Sequence, residues 1–317
     1  MFITILILLA GFVALIWGAT KLVDAASSLA VKNGVPSIVI GLTIVAFGTS
    51  APELAVNVFA ATEGSSEIVL GNVIGSNIFN VLAVLGICSL IYPLTVNKTT
   101  TLLEIPLSLL AGICVLVMGA DIFLDGSLRN TITRSDAIIL LLFFSIFLVY
   151  NMVLANKNTK KEEIETKDYS TAKAILFIVL GLAGLVGGGQ LIVNSAVELA
   201  QAFGLSERVI GLTVVSIGTS LPELATSVVA VRKKNVDIAI GNVVGSNIFN
   251  IFFILGISAT VLPVRLADNS FFDIFVNIAA SLLLVLFILT EKKGQLNRWG
   301  GIVFVCMYIA YLTYLLI

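Results

Sequence analysis

Two stretches of this chain are versions of one another, and each carries an acid inside apolar sequence. Gly41–Asn80 reads GLTIVAFGTSAPELAVNVFAATEGSSEIVLGNVIGSNIFN, and Gly211–Asn250 reads GLTVVSIGTSLPELATSVVAVRKKNVDIAIGNVVGSNIFN. Adding 170 converts each position into its partner without a gap. Glu53 follows Pro52 in the first copy, and Glu223 follows Pro222 in the second. An acid at the centre of a membrane helix costs roughly 2.5–3.5 kcal/mol even on the mildest insertion scale. Two such acids at related places need a physical partner.

The membrane setting follows from composition. Of 317 residues 58% are hydrophobic and 12% charged, whereas soluble domains run roughly 45–50% apolar and ~25% charged. A spanning helix takes about 20 apolar residues. The chain divides into such pieces near residues 2–30, 36–61, 67–92, 102–120 and 136–154, then 172–201, 207–231, 236–262, 271–290 and 298–317. The expectation is an all-α polytopic membrane protein of ten transmembrane helices, five in residues 1–155 and five in 171–317. Asn156–Ser170, NKNTKKEEIETKDYS, reads as a solvated connector too short for a regulatory domain.

The opening MFITILILLAGF lacks the basic start of a cleaved signal peptide. Gly18–Leu29 is echoed at Gly188–Leu199, so the first span reads as part of the folded unit. A net charge of −1 offers no basic surface for nucleic acid. Cys88, Cys114 and Cys306 are scattered in apolar runs and read as small hydrophobes rather than metal ligands. Histidine is absent, which removes the commonest general base and proton switch. Neither catalytic residues nor a cofactor are expected, and nothing marks an obligate protein partner besides the lipid bilayer.

Lysine and arginine set the orientation. With the N-terminus outside, fourteen of the eighteen basic residues fall on the cytoplasmic side, among them Lys167, Lys233 and Lys234. Arg129, Arg134, Arg208 and Arg265 fall outside. Both termini are therefore expected outside and the connector inside. Because five is odd, the two halves then have opposite orientation in the bilayer. Inverted repeats of this kind are common in secondary transporters, whose sites lie near the midplane where the repeats meet.

Within GTSAPEL, Pro52 lacks an N–H and is expected to free the Gly48 carbonyl, a break tolerated at membrane depth only beside protein or a polar cavity. Thr49 and Ser50 lie four and three residues before Glu53, on adjacent helical positions. Thr219, Ser220 and Glu223 repeat the pattern. In the companion motif Asn72, Ser76 and Asn80 form a stripe at i, i+4 and i+8, beside a GxxxG of Gly71 and Gly75 suited to close helix packing. Asn242, Ser246 and Asn250, with Gly241 and Gly245, form the second copy. Asn72, Asn77, Asn242 and Asn247 read equally well as interhelical glue.

Two like charges brought together repel, and neither motif core contains Lys or Arg to neutralise them. A bound cation is the remaining partner. Carboxylate, hydroxyl, amide and carbonyl oxygens suit hard ions such as Ca²⁺ and Na⁺ and lack the thiolate or imidazole of softer metals. Two carboxylates balance one Ca²⁺, and competition of Na⁺ for the same oxygens is a basis for antiport.

At these residues the chain resembles the cation/calcium exchanger superfamily, in particular its sodium/calcium exchangers, whose two α-repeats are matched by GTSAPEL…GNVIGSNIFN and GTSLPEL…GNVVGSNIFN. The resemblance implies that Glu53 and Glu223 are the central Ca²⁺ ligands, helped by main-chain oxygens of Thr49 and Thr219. It implies Na⁺ sites lined by Ser50, Ser76, Ser220 and Ser246 with carbonyls of Ala46 and Ser216. Asn80 and Asn250 match the polar position closing the central site. It further implies that the first span of each half, near 2–30 and 172–201, slides to alternate access. The potassium-dependent branch carries Asp where Asn250 stands, so K⁺ independence is expected. The setting it implies is a prokaryotic cell membrane.

Rival classes are weaker. Proton/calcium exchangers resemble a GNxxE pattern, and here Gly71-Asn72 leads to Gly75 without an acid. A lipid-phosphate hydrolase would need basic residues for phosphate. A cation channel is separated from an antiporter by passive conductance against saturable counter-transport.

Overall fold

In the computed structural model, residues 2–96, 100–155, 167–202, 216–267, 270–291 and 294–316 are described. The main helices are α1 (Phe2–Asn33), α2 (Ser37–Thr49), α3 (Ala51–Thr62), α4 (Ser66–Ile91), α5 (Ile105–Met118) and α6 (Arg134–Ala155), with one further short turn of helix at Asp121–Asp125. They continue with α7 (Thr171–Ala202), α8 (Ser216–Thr219), α9 (Leu221–Arg232), α10 (Val236–Val261), α11 (Ser270–Thr290) and α12 (Arg298–Leu316). Seven of the described helices are long and apolar enough to cross a membrane, and α2 with α3, bent by 47°, makes an eighth if the pair is taken as one span. The span expected at 102–120 is a shorter apolar helix. The one expected at 207–231 begins outside the described residues and continues as α8 and α9.

The innermost helices are α4 and α10, with 78% and 94% of their apolar stretches covered by protein. In α1, α6, α7, α11 and α12 the covered share is only 28–33%. Their outward residues, such as Val13, Leu142, Val179 and Phe275, are large and apolar, a surface that matches lipid tails rather than water. The helices carrying the GN motifs are thus the most enclosed of the long apolar helices.

The bundle is helical, and its loops add one feature. Four two-residue strands, β1 (Leu94–Thr95), β2 (Thr131–Ile132), β3 (Val264–Arg265) and β4 (Gln295–Leu296), form two antiparallel ribbons. β1 pairs with β4 and β2 with β3. Each ribbon links a loop of the first half to a loop of the second, pairing backbone groups that a bundle's loops would otherwise leave to solvent.

α1 and α7 pack backbone to backbone. A Cβ on Gly18 would stand 2.6 Å from the Gly181 carbonyl oxygen, and one on Gly188 would stand 2.6 Å from the Leu15 nitrogen. These neighbours are main chain and cannot rotate away. Gly18→Val is therefore expected to destabilise the protein by at least about 1–3 kcal/mol through overpacking. Thermal unfolding in detergent checks this, with Gly187→Ala, which meets nothing within 4 Å, expected to be neutral or stabilising.

One end of this pair is fastened by charge. Asp24 of α1, only 7% exposed, accepts Nζ of Lys233 at 2.5 Å and of Lys167 at 2.9 Å. The hydrogen bond to Asp24 raises the pKa of the Lys167 ammonium. Asn235 Nδ2 donates to Ser27 Oγ at 2.9 Å, and the Tyr169 N–H donates to Ser28 Oγ at 3.0 Å. The end of the connector and the end of α9 therefore meet on one face of the bundle.

Candidate cation site

Both proline motifs interrupt a helix in the same way. Ser50 leaves helical geometry at φ −82°, ψ 6°, between α2 and α3, and Ser220 does so at φ −92°, ψ 7°, between α8 and α9. Pro52 and Pro222 fall in the first turn of the following helix. There a missing N–H costs nothing. The break thus lies ahead of proline, at the serine. Glu53 and Glu223 sit in those same first turns, where the helix dipole favours negative charge.

The two carboxylates are each 1% exposed. Their hydroxyl partners are not those that helical spacing implied. Ser50 does not serve Glu53: its Oγ donates to Glu223 Oε1 at 3.1 Å, and Ser220 Oγ donates to Glu53 Oε1 at 2.9 Å. Each break supplies the hydroxyl for the opposite acid. From within each half, Ser76 Oγ reaches Glu53 Oε1 at 3.4 Å and Ser246 Oγ reaches Glu223 Oε1 at 3.2 Å. Ser220 Oγ lies 3.0 Å from Ser76 Oγ, closing the ring.

The asparagines form a second layer with the same reciprocity. Asn72 Nδ2 donates to the Glu53 carbonyl at 3.4 Å, and Asn242 Nδ2 donates to that of Glu223 at 3.2 Å. Thr219 Oγ1 donates to Asn72 Oδ1 at 3.4 Å, and Thr49 Oγ1 to Asn242 Oδ1 at 3.0 Å. Asn77 Nδ2 donates to the Asn247 carbonyl at 3.1 Å, and Asn247 Nδ2 returns the bond to the Asn77 carbonyl at 3.4 Å. Their Oδ1 atoms accept Asn250 Nδ2 at 2.9 Å and Asn80 Nδ2 at 3.1 Å. Asn77 and Asn247 are therefore glue between α4 and α10, and what they hold in place is Asn80 and Asn250.

Asn80 and Asn250 lie in π-helical stretches, Phe79–Leu85 and Phe249–Leu255, where the stripe expected at i+8 gains an extra residue per turn. The motif glycines explain the close approach of α2 to α10. A Cβ on Gly241 would stand 2.8 Å from the Ile38 carbonyl oxygen, and one on Gly245 would stand 2.8 Å from Ala46 Cβ. Gly71 and Gly75 meet no described residue within 4 Å. The Ala46 carbonyl accepts the Ser50 N–H at 3.0 Å and Thr49 Oγ1 at 3.3 Å. Ser216 opens α8, and its side chain lies outside the description.

Four buried oxygens in this layer have no hydrogen-bond donor: Glu53 Oε2, Glu223 Oε2, Asn80 Oδ1 and Asn250 Oδ1. They form two repeat-related pairs, and every one is an acceptor. Buried acceptors are normally satisfied. Glu104 Oε2, Asn151 Oδ1, Thr226 Oγ1 and Asn277 Oδ1 also lack a partner, but only this set joins two carboxylates at repeat-related positions, and a positive ion is the partner that suits it. Among the described residues no Lys or Arg pairs with either acid, and no cluster of three or more acids, Cys or His exists. The anionic part is two carboxylates. A cavity of about 70 Å³ lies against this region, lined by Pro52, Thr219 and Pro222 on one side and by Gly189, Gln190 and Val193 of α7 on the other. Asn57 and Ser227 escaped the sequence reading: each stands four residues after the acid, on its helical face, and hydrogen-bonds to Asn72 or Asn242.

Comparison with known proteins decides the family, because the model of the sodium/calcium exchanger protein family matches residues 3–153 and 173–317. The chain belongs to the sodium/calcium exchanger family. Sodium/calcium exchanger MaX1 of Methanosarcina acetivorans is 35% identical over 99% of this chain and 98% of its own length. Inner membrane protein YrbG of Escherichia coli is 33% identical over 98% and 95%. Among solved structures, the sodium-calcium exchanger NCX_Mj superposes with a TM-score of 0.83 at 32% identity, covering 98% of both chains. This family member is a multi-pass integral membrane protein, and the repeat-related acids lie at the core of the matched region.

Proposed function

We propose that the protein is a secondary-active antiporter that exchanges Na⁺ for Ca²⁺ by alternating access. The observation that carries this reading is the donor-less quartet of Glu53 Oε2, Glu223 Oε2, Asn80 Oδ1 and Asn250 Oδ1. With both carboxylates ionised, one Ca²⁺ balances their charge, and an all-oxygen set is the kind that hard cations take. Na⁺ competes through the same carboxylates together with Ser50, Ser76, Ser220 and Ser246 and the carbonyls of Ala46 and Ser216. Thr49 and Thr219 add main-chain oxygens. A site built from reciprocal halves suits loading from either face.

In this reading ten spans form two inverted five-helix repeats joined by a cytoplasmic connector, with both termini outside a prokaryotic cell membrane. α1 and α7, packed through glycines, are the pair that moves. Lys167 and Lys233, both assigned to the cytoplasm, meet on Asp24, which supports that assignment. The direction of the gradients decides the direction of exchange.

The test is ⁴⁵Ca²⁺ uptake into Na⁺-loaded proteoliposomes. Uptake is expected to require the outward Na⁺ gradient and to be equal in K⁺-free and K⁺-containing buffer. Asn250 supports the second expectation: it is a neutral amide whose nitrogen is committed to Asn77, so the pocket lacks a third negative charge to hold K⁺. Uptake that vanishes without K⁺ overturns the K⁺ independence. Uptake driven by a pH gradient and indifferent to Na⁺ favours a proton/calcium exchanger.

A further inference from the structure

The two halves of the site differ in the hydrogen bonding one turn past each acid. Asn57 is fully buried, one turn past Glu53 on α3, and its counterpart 170 residues on is Ser227, also fully buried. Asn57 Oδ1 accepts Asn72 Nδ2 at 2.7 Å, the shortest bond that Asn72 makes. Asn57 Nδ2 is spent on the Val69 carbonyl of α4 at 3.1 Å. An amide group can be turned end for end unless its neighbours distinguish nitrogen from oxygen. With its own nitrogen committed to Val69, Asn57 can only present oxygen to Asn72. The Asn72 amide is thereby held with nitrogen toward α3, where it also meets the Glu53 carbonyl, and with oxygen toward Thr219.

Ser227 performs the same service with different chemistry. Its Oγ accepts Asn242 Nδ2 at 3.0 Å, and Asn242 Oδ1 then accepts Thr49 Oγ1 at 3.0 Å. Among the described residues Ser227 makes no tether to α10 like that of Asn57 to Val69. The two halves thus share the acceptor and not the tether.

We propose that Asn57, with Ser227 as its counterpart, is a positioning residue for cation binding that acts by fixing the orientation of the Asn72 amide. If Asn72 turned over, its oxygen would face the Glu53 carbonyl and its nitrogen would face Thr219. The repulsion displaces the first turn of α3, which carries Glu53 Oε2. The effect falls on ion affinity, because the carboxylates and serines themselves are retained. This inference rests on the antiporter reading.

Three substitutions separate the acceptor from the tether. In Na⁺-driven ⁴⁵Ca²⁺ uptake, Asn57→Leu is expected to raise the half-saturating Ca²⁺ concentration about tenfold, the loss of one buried hydrogen bond, with little change in maximal rate. Asn57→Ser keeps an acceptor, loses the Val69 tether, and is expected to stay close to wild type. Ser227→Ala, which changes little volume, is expected to repeat the Asn57→Leu effect and covers the case in which that variant does not fold. Equal impairment in Asn57→Ser and Asn57→Leu, or unchanged half-saturation in Ser227→Ala, overturns the proposal. Calorimetric Ca²⁺ titration of the detergent-solubilised wild type and variants keeps the two readings apart. Absent Na⁺-driven uptake with intact Ca²⁺ binding sinks only the antiporter reading, while unchanged affinity in every variant sinks only the positioning role.

Discussion

Glu53→Gln and Glu223→Gln are each expected to abolish Na⁺-driven Ca²⁺ uptake. Glutamine keeps the shape of the side chain and an oxygen to accept from Ser220 and Ser76, or from Ser50 and Ser246. What it removes is one of the two negative charges in a site that is 1% exposed at both acids. Breaking a buried charge pair by removing one partner costs about 3–5 kcal/mol, which at 1.4 kcal/mol per decade weakens Ca²⁺ binding by roughly a hundredfold to a few thousandfold. The loss is one of ligand and leaves the fold intact. Removing a buried charge that lacks a counter-ion leaves the empty protein as stable as before or more so. Ca²⁺ is expected to raise the wild-type melting temperature by mass action, and neither glutamine variant is expected to respond. Full uptake in either variant would overturn the site.

Asn77→Ala and Asn247→Ala are expected to cause the largest loss of stability among polar substitutions in the core. Each side chain is 1% exposed and joins α4 to α10 twice, once to a facing carbonyl and once to the amide of Asn250 or Asn80. Alanine deletes two hydrogen bonds of about 1 kcal/mol each and leaves a buried N–H₂ without an acceptor, a further 1–3 kcal/mol or so. Together they amount to about 3–5 kcal/mol, a fall in melting temperature on the order of 10 °C by the scaling for large domains. Thermal unfolding in detergent measures it. Asn80→Ala, which deletes a single bond from its nitrogen, is expected to cost less. Because Asn250 loses the bond that aims its Oδ1, Asn77→Ala is also expected to weaken Ca²⁺ binding. A merely structural joint would leave affinity unchanged in the molecules that stay folded.

These cases show which parts of the site were legible in residues alone. The bounds of α1, α4, α6, α7, α10, α11 and α12 follow the apolar runs closely, because a helix in lipid must be apolar along its length and must end where it is not. The break at each PE motif was legible too, and the structure places the departure from helical geometry at Ser50 and Ser220. The π-helical stretches at Phe79–Leu85 and Phe249–Leu255 were not legible: one extra residue per turn leaves no mark on a pattern of almost uniformly apolar positions. Nor were the ribbons, each only two residues long per strand.

By itself the sequence determined that two acids lie inside a membrane protein, at places related by a 170-residue repeat, beside hydroxyls and amides and without a basic partner. That follows from local composition and from the cost of burying charge, neither of which needs a fold. Only the tertiary structure decided who partners whom. Ser50 serves Glu223 and Ser220 serves Glu53, while Asn77 and Asn247 bond to each other's backbone and aim Asn80 and Asn250. The physical reason is distance along the chain. Helical periodicity reports neighbours three or four residues away, whereas these bonds span 167 to 173 residues and exist only where α3, α4, α9 and α10 are packed together.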